Sequence, residues 1–289
     1  MYARMDVLLS FALRLMNWQS YLNGLKMEKM PVYVTTSLKG EVSLKDEAKA
    51  WADEVDARFL PRRGRKEEEL YNQYENLIIY TNMGPEIRTE GGSHHFHPSM
   101  AELRIRQIDS GKGDRFLDAV AATGPVKFLD CTCGLGSDAL VASYGLPRGS
   151  CVDAVEASPL LARVTAWGFS RYVHERRDVT DALRHIHLSH DTYESVLTSI
   201  EDRSYDIIYF DPMFTRPVQG SSNFTPLRDV VCHAPLTTDM IDLALCKAGK
   251  RVVIKGRDFS ELTGKYDNLK VGGGRYSRIS YAVLECSRK

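Results

Sequence analysis

The second half of the chain alternates short apolar segments with helical stretches, and this alternation restricts the fold more than any other feature. Continuous apolar runs predict strands buried on both faces, and helices between them predict a mostly parallel sheet covered on both sides. The predicted strands are Val126–Asp130, Cys151–Glu156, Ile186–Ser189, Asp206–Phe210, Arg251–Lys255 and Ile279–Glu285, the last after a turn at Gly272–Gly274; the predicted helices are Asp138–Tyr144, Pro159–Phe169, Thr192–Ile200 and Thr238–Cys246. The pattern therefore indicates an α/β fold with a doubly wound sheet.

The preceding residues predict a smaller unit. A strand at Val32–Thr36, an amphipathic helix at Leu44–Phe59, a basic loop at Pro61–Lys66 and a strand at Asn76–Tyr80 indicate a mixed α/β subdomain. A length of 289 residues suits one catalytic domain with a smaller companion. We expect residues 31–115 to form the subdomain and residues 116–289 the larger domain. Residues 1–30 are either an upstream extension beyond the true start or a loosely attached amphipathic helix.

Composition excludes some classes and leaves others open. The 38 basic and 38 acidic residues balance, so the charge neither supports nor excludes a nucleic-acid partner. No stretch approaches the roughly 20 uninterrupted apolar residues that a membrane span needs. The six cysteines have no paired spacing typical of structural zinc, which favours reduced thiols, no metal and a cytoplasmic location.

The first chemical motif is a strand that runs into a glycine loop and then a helix. It extends from Phe128 to Asp138 and contains Gly134 and Gly136. Glycines let the backbone pass close to a ligand, and the helix start that follows presents unpaired N–H groups. The motif indicates a phosphate- or nucleoside-binding loop, although a tight turn without a ligand has the same pattern.

Two acidic residues strengthen the case for a nucleoside cofactor. Glu156 ends the second strand, 20 residues after Gly136, where a carboxylate accepts hydrogen bonds from ribose hydroxyls. Asp130 ends the first strand, beneath the loop, where it suits an ammonium group of amino-acid type. The alternative for Asp130 and Asp138 is a role in capping a helix or bracing the loop.

The second motif, Asp211-Pro212-Met213-Phe214, follows an apolar strand and resembles the Asp/Asn-Pro-Pro-Tyr/Phe signature of amino-directed methyltransferases. An exocyclic amine of a base is a weak nucleophile, because its lone pair is delocalised into the ring. Asp211 and a backbone carbonyl of the Pro212 turn are the expected acceptors of its N–H bonds, and Phe214 is expected to stack on the base. The alternative is an Asp-Pro turn that simply ends a strand.

From about Gly113 to Lys255 the chain resembles the ribosomal small-subunit methyltransferase J family, which methylates a guanine N2 in small-subunit RNA. The resemblance rests on the glycine loop, on Asp211–Phe214 and on Val252–Lys255. It implies a seven-stranded Rossmann-like methyltransferase sheet, S-adenosylmethionine as cofactor, structured ribosomal RNA as partner and a role in rRNA processing. The cofactor contacts that it implies are Ser137, Asp138, Glu156, Ala157, Asp191, Thr192 and Asp211.

The chain also departs from that family. The lysine-rich stretch after the acceptor motif is replaced by Thr215–Asn223, which keeps one arginine. The segment Gly91–Pro98 differs as well, and its three histidines indicate packing or substrate contact rather than a metal site; they are His94, His95 and His97. A basic group is expected either to face phosphates or to form a solvated charged surface; it comprises Arg62, Arg63, Arg65, Arg104, Arg106 and Lys112.

Three other functions remain open. The neutral charge and the missing lysines favour methyl transfer to a small-molecule or protein amine. An NAD-dependent oxidoreductase uses the same fold, and Ala139 at the position of the third loop glycine does not exclude it. A binding module that keeps the cofactor pocket without turnover is the non-enzymatic alternative, and the intact Asp211 and Phe214 argue against it.

Overall fold

A computed structural model describes residues 31–37, 42–89, 92–212, 235–273 and 279–286, and their strands form two sheets. The first sheet contains β1 (Tyr33–Thr36), β2 (Arg58–Phe59), β3 (Leu77–Thr81), β4 (Gly84–Thr89) and β5 (Gly92–His95). The second contains β6 (Lys127–Asp130), β7 (Cys151–Glu156), β8 (Ile186–His190), β9 (Tyr205–Phe210), β10 (Ala248–Gly256), β11 (Leu269–Gly273) and β12 (Ser280–Glu285).

The helices cover these sheets. They are α1 (Val42–Glu54), α2 (Glu67–Tyr71), α3 (Ser99–Asp109), α4 (Arg115–Val120), α5 (Ser137–Gly145), α6 (Pro159–Arg171), α7 (Arg177–Arg184), α8 (Tyr193–Ser199), α9 (Thr238–Lys247) and α10 (Ser260–Thr263). Within the described ranges, none of them is long and apolar enough to cross a membrane.

The larger sheet has the strand order β11-β12-β10-β9-β6-β7-β8. Its neighbours pair in parallel from β10 to β8, whereas β12 runs antiparallel to both β10 and β11. The chain goes from β6 outward to β7 and β8, and then returns to the other side of β6 with β9 and β10. This reversal creates a crevice at the carboxyl ends of β6 and β9, where open α/β sheets bind their ligands. The predicted doubly wound, mostly parallel, seven-stranded fold is confirmed.

The smaller sheet has the order β2-β1-β3-β4-β5, with β1, β2 and β3 parallel and the last two strands antiparallel. The predicted helix Leu44–Phe59 is wrong at its C-terminal end. Asp56 has a φ of 51°, which a helix cannot accommodate, and Arg58 and Phe59 pair with β1 instead. The predicted turn at Gly272–Gly274 is also wrong in part, because Gly272 and Gly273 belong to β11.

One continuous apolar core joins the two sheets. It includes Trp51 of α1, Phe96 after β5 and Phe128 of β6, each at most 3% exposed. The Phe96 ring lies edge-on to Phe169 of α6, with the ring centroids 5.8 Å apart. The contact packs the N-terminal unit against α6, the helix that follows β7. The division at residues 115 and 116 stays a prediction.

Gly168 of α6 lets the Phe96 ring pack against the helix backbone. A Cβ atom built on Gly168 would lie 2.0 Å from the Phe96 ring. Alanine favours a helix over glycine by about 1 kcal/mol, but overpacking a core costs about 1–3 kcal/mol. We therefore expect Gly168→Ala to lower the free energy of unfolding by about 1 kcal/mol in urea denaturation. Gly124→Ala, which adds a methyl group to open space, is the control; equal stability of the two variants would contradict this account of the junction.

Candidate functional site

The glycine loop lies at the carboxyl end of β6, between Asp130 and the start of α5. Gly134 and Gly136 have φ angles of 55° and 77°, in the left-handed region that favours glycine. A Cβ atom on Gly136 would lie 2.5 Å from the Phe169 ring, whereas one on Gly134 would meet nothing nearer than the Thr132 carbonyl at 3.9 Å. Gly136 is therefore required for packing, and Gly134 borders open space that a ligand can enter.

Glu156 braces this loop from the end of β7. Its Oε2 accepts the Gly134 N–H at 2.7 Å, and its Oε1 accepts the Ser158 N–H at 2.7 Å. Burial raises the pKa of the Glu156 carboxyl, although these backbone donors act in the opposite direction. The Ala157 N–H also bonds this carboxylate, so of its roughly four acceptor positions about one remains for a further donor. Ala157 follows, half-buried, at the same edge of the sheet.

Asp138, in the first turn of α5, is held by three donors from the protein. Its Oδ2 accepts the Tyr209 hydroxyl at 2.7 Å and Lys255 Nζ at 2.9 Å, and its Oδ1 pairs with Arg104. Arg104 also forms a two-pronged ion pair with Asp114, at 2.8 and 2.9 Å. Burial opposes ionisation of Asp138, but Lys255 and Arg104 outweigh it and hold the pKa of this carboxyl below its usual value. The carboxylate thus belongs to an internal network.

Asp211 follows β9 and lies beside the glycine loop. Its backbone N–H donates to Thr132 Oγ1 at 2.6 Å, and its Oδ2 accepts Lys255 Nζ at 2.7 Å. Burial raises the pKa of the Asp211 carboxyl to about 6, although Lys255 favours the ionised form. Pro212 is half-buried next to it. Phe214, the third residue expected to act on the acceptor, lies outside the described residues.

Asp130 is 1% exposed at the end of β6. Its Oδ1 accepts the Thr132 N–H at 3.0 Å, so the side chain braces the start of the glycine loop. Burial, and next the charge of Asp138, raise the pKa of the Asp130 carboxyl well above its usual value. These two effects favour the protonated form of the carboxyl, whereas a cation bound beside it would favour the ionised form.

Ser137, Asp191 and Thr192 lie around the same edge. Ser137 begins α5 and is half-buried, and within the described residues no side chain caps this helix at Gly136. Asp191 accepts its neighbour's N–H at 2.8 Å, and Thr192 Oγ1 accepts the Ser195 N–H at 3.2 Å, so both cap the start of α8. The Asp191 N–H donates to the Glu156 carbonyl at 3.2 Å, so Asp191 and Thr192 lie next to the end of β7.

Lys255 and Arg104 were not predicted as site residues. Lys255 lies beside Asp211 because β9 and β10 pair in parallel with Ile254 opposite Phe210, and the next residues along are Lys255 and Asp211. The sequence alone does not give this register. Arg104 belongs to the basic group expected either to face phosphates or to form a solvated charged surface. That interpretation is wrong for Arg104, whose guanidinium is used by two carboxylates.

The other members of that basic group include both internal and exposed residues. Arg62 is 7% exposed and donates to the Thr36 and Arg65 carbonyls, so it too is internal. Arg63, Arg106 and Lys112 are exposed. The structure therefore does not gather the six residues into one phosphate-facing surface.

The alternation of side chains along a strand predicts His95 and His97 on one strand face, and this prediction is wrong. β5 ends at His95, so His97 lies beyond the strand, where its Nδ1 accepts the Ser99 N–H at 3.1 Å. Burial lowers the pKa of His94 to about 4, which keeps that ring neutral. Its Nε2 is buried without a hydrogen-bond partner in the described part of the chain.

The strand order, the glycine loop and the acidic residue ending β7 together define a methyltransferase-type α/β protein. A SAM-dependent methyltransferase from Neisseria gonorrhoeae has a similar fold, with a TM-score of 0.53 and 16% identity over 88% of this chain and 96% of that one. The family model described as "Putative SAM-dependent methyltransferase" matches residues 86–272, which is more than half of the chain. The chain belongs to this family of SAM-dependent methyltransferases, and its cofactor is S-adenosylmethionine.

Two relatives add detail. Uncharacterized protein YpiP of Bacillus subtilis is 30% identical over 224 residues, which cover 77% of this chain and 87% of that protein. Ribosomal RNA small subunit methyltransferase J of Aliivibrio salmonicida is 32% identical over 178 residues, which cover 56% of this chain and 66% of that protein. The chain thus aligns with slightly less than two thirds of the length of this ribosomal RNA methyltransferase.

Asp138 stabilises the fold because it neutralises two buried cations. Removing one partner of a buried ion pair typically costs about 3–5 kcal/mol, so we expect Asp138→Asn to lower the free energy of unfolding at pH 7 by about 3 kcal/mol. Because the folded-state pKa of Asp138 is lowered, this contribution is present above the usual carboxyl pKa of about 4 and is lost as the pH falls. Urea denaturation at several pH values measures it.

The matched control is Asp178→Asn. Asp178 pairs with Arg176 at 2.6 Å, but its side chain is 53% exposed. Surface pairs contribute less than about 1 kcal/mol, so we expect a small change. A similar loss in both variants would show that the network around Asp138 contributes no more than a surface pair.

Proposed function

We propose that this protein methylates an exocyclic amine of an RNA base, with guanine N2 in small-subunit ribosomal RNA as the target. The hydrogen bond of 2.6 Å from the Asp211 N–H to Thr132 Oγ1 carries the proposal. It holds the carboxylate expected to bind the amine directly against the loop expected to bind the cofactor. Transfer needs these two parts to be adjacent, because the nitrogen attacks the methyl carbon in line with the breaking C–S bond.

The residues around the crevice suit S-adenosylmethionine. The open space beside Gly134 admits a ligand, and the remaining acceptor position of Glu156 suits a ribose hydroxyl. The first-turn N–H groups at Ser137 suit a carboxylate, and Asp130 suits an ammonium group. Ala157, Asp191 and Thr192 would border the nucleoside. Asp138 contributes by holding Lys255, since protein donors already use its oxygens.

Bound S-adenosylmethionine supplies a methyl group that its sulfonium centre has already activated. Asp211 accepts one N–H bond of the acceptor amine and so favours a lone pair localised on nitrogen. As the new N–C bond forms, the nitrogen loses a proton, and Asp211 accepts it. A carboxyl pKa of about 6 suits this step, because the group is ionised at neutral pH and still a competent base. Phe214 is expected to stack on the base, which must leave its helix to reach the site.

An RNA acceptor is supported by the aligned relatives named as ribosomal RNA methyltransferases. The acceptor motif adds chemical support, because exocyclic base amines need the acceptors that Asp211 and the Pro212 turn provide. An enzyme with this target would work in the cytoplasm, where ribosomal RNA is assembled. The neutral charge and the single arginine within residues 215–223 favour a second candidate, a protein or small-molecule amine.

The catalytic role of Asp211 is tested with Asp211→Asn. The variant keeps the shape of the side chain but loses the base, so we expect kcat for methyl transfer to fall by about 100-fold or more. We expect calorimetry to show retained binding of S-adenosylmethionine. Asp206→Asn, at the other end of β9, removes a carboxylate that pairs with Lys250 and is expected to leave kcat unchanged. Full activity of Asp211→Asn would refute the mechanism.

The acceptor class is tested with radiolabelled cofactor and a cell lysate. We expect the incorporated label to be lost after ribonuclease treatment and to survive protease treatment. Digestion of the labelled RNA to nucleosides, followed by mass spectrometry, should then give N2-methylguanosine. Label that is sensitive to protease, or that stays in small molecules, would instead support the second candidate.

A further inference from the structure

We propose that Lys255 is a positioning residue for Asp211, and that Arg104 and Asp138 hold Lys255 in place. The inference rests on the proposed role of Asp211 as the group that binds the acceptor amine. It concerns how this chain orients that carboxylate before any acceptor arrives.

Five charged side chains form a continuous line through the site. Asp114 pairs with Arg104, Arg104 with Asp138, Asp138 with Lys255, and Lys255 with Asp211. They come from five different parts of the fold: the residue before α4, α3, α5, β10 and the residue after β9. The sign of the charge alternates at every step, so each cation lies between two carboxylates.

The line is shielded from solvent near its centre. The side chains of Asp138 and Lys255 are 9% and 17% exposed. Two charges leave water at a high cost, which their attraction offsets only when the geometry is good. The Lys255 Nζ contacts of 2.9 Å to Asp138 and 2.7 Å to Asp211 meet that requirement. The ammonium group is therefore restricted to one place.

Together with the strand register, this restriction on Nζ fixes the orientation of the Asp211 carboxylate. Ile254 is paired with Phe210, so the backbones that carry Lys255 and Asp211 are fixed side by side. Nζ binds Oδ2, and the backbone of Asp211 is tied to Thr132. With one oxygen and the backbone both fixed, the carboxylate can no longer rotate freely. Within the described ranges, Oδ1 then remains to accept an N–H of the acceptor.

Lys255 also favours the ionised form of Asp211, which the proposed proton transfer needs. Burial and the charge of Asp138 act against ionisation, and the two cations of the line act for it. Among the described residues, the titratable groups that face Asp211 are Asp130 on β6, Asp138 on α5, Arg104 on α3, Tyr209 on β9 and Lys255 on β10.

The test compares Lys255→Met with Lys247→Met. Lys247 is the control, because its Nζ also makes two polar contacts, here with a carbonyl at 2.7 Å and a carboxylate at 2.9 Å, but near the opposite end of β9. The Asp211 carboxyl is titrated by ¹³C NMR in the cofactor-free protein. Its signal is assigned as the carboxyl signal that is missing from the spectrum of Asp211→Asn. An opposite charge at this distance lowers a carboxyl pKa by about 1–3 units, so Lys255→Met should raise the Asp211 midpoint by that amount. Lys247→Met should leave it unchanged.

Activity provides the second measurement. In Lys255→Met the acid limb of the kcat profile should move to higher pH by the same amount, so part of the lost activity returns at pH 9. Lys255→Arg keeps the positive charge but changes the length and shape of the side chain. We expect the acid limb of its kcat profile to stay near the wild-type position. We expect its kcat to be about 10-fold lower at every pH, as for small misplacements of other catalytic groups.

Two results would overturn the proposal: an unshifted Asp211 titration in Lys255→Met, or wild-type kcat in Lys255→Arg. If Lys255→Met does not fold, as judged by circular dichroism, the Asp211 titration and kcat of Lys255→Arg decide alone. A fully active Asp211→Asn would refute the proposed function even if the titration shifts, so the two failures are distinguishable.

Discussion

The paired contacts of Lys255 with Asp138 and Asp211 connect parts of the protein that are far apart in sequence. Lys255 belongs to β10, Asp138 to the helix after the glycine loop, and Asp211 to the end of β9. Each group is costly to bury alone, so the network is stable only when all its members are present. This mutual dependence fixes the relative positions of the three elements that surround the crevice.

Arg104 extends the network to the region between the two sheets. Its helix, α3, follows the smaller sheet and precedes the first strand of the larger one. Because Arg104 binds Asp114 and Asp138 at once, the arrangement of this connecting region is linked to the first turn of α5. The Phe96 contact with α6 adds an apolar link between the same two units. Through these two contacts the smaller unit supports the crevice.

Much of the larger sheet could be predicted from the sequence, because its strands are continuous apolar runs that end in polar residues. Glu156 and Asp211 were placed at strand ends for the same reason, and the parallel order brings them to one edge. Lys255 was missed as a site residue because its role depends on pairing between strands, which a single run of sequence does not reveal. Arg104 was misread because its partner Asp138 lies 34 residues away, and a surface arginine has the same local sequence.

The smaller unit was harder to predict. The two residues of β2 are too few to show a period, and the left-handed turn at Asp56 that separates them from α1 has no glycine or proline to mark it. α7, with the sequence Arg177–Arg184, has few apolar residues and was not predicted, although Val179 and Leu183 pack it against the core. Tertiary packing, rather than local preference, decides these elements.

The hydrogen bond between Thr132 and Asp211 has a consequence for protein engineering. Enzymes that transfer a methyl group are attractive starting points for transferring larger groups, which requires a roomier cofactor loop. Here Thr132 of the loop accepts the Asp211 N–H, so enlarging the loop at Thr132 would displace Asp211 together with the loop. Changes that enlarge the pocket therefore have to leave the Thr132 hydroxyl in place, because it ties the residue after β9 to the loop after β6.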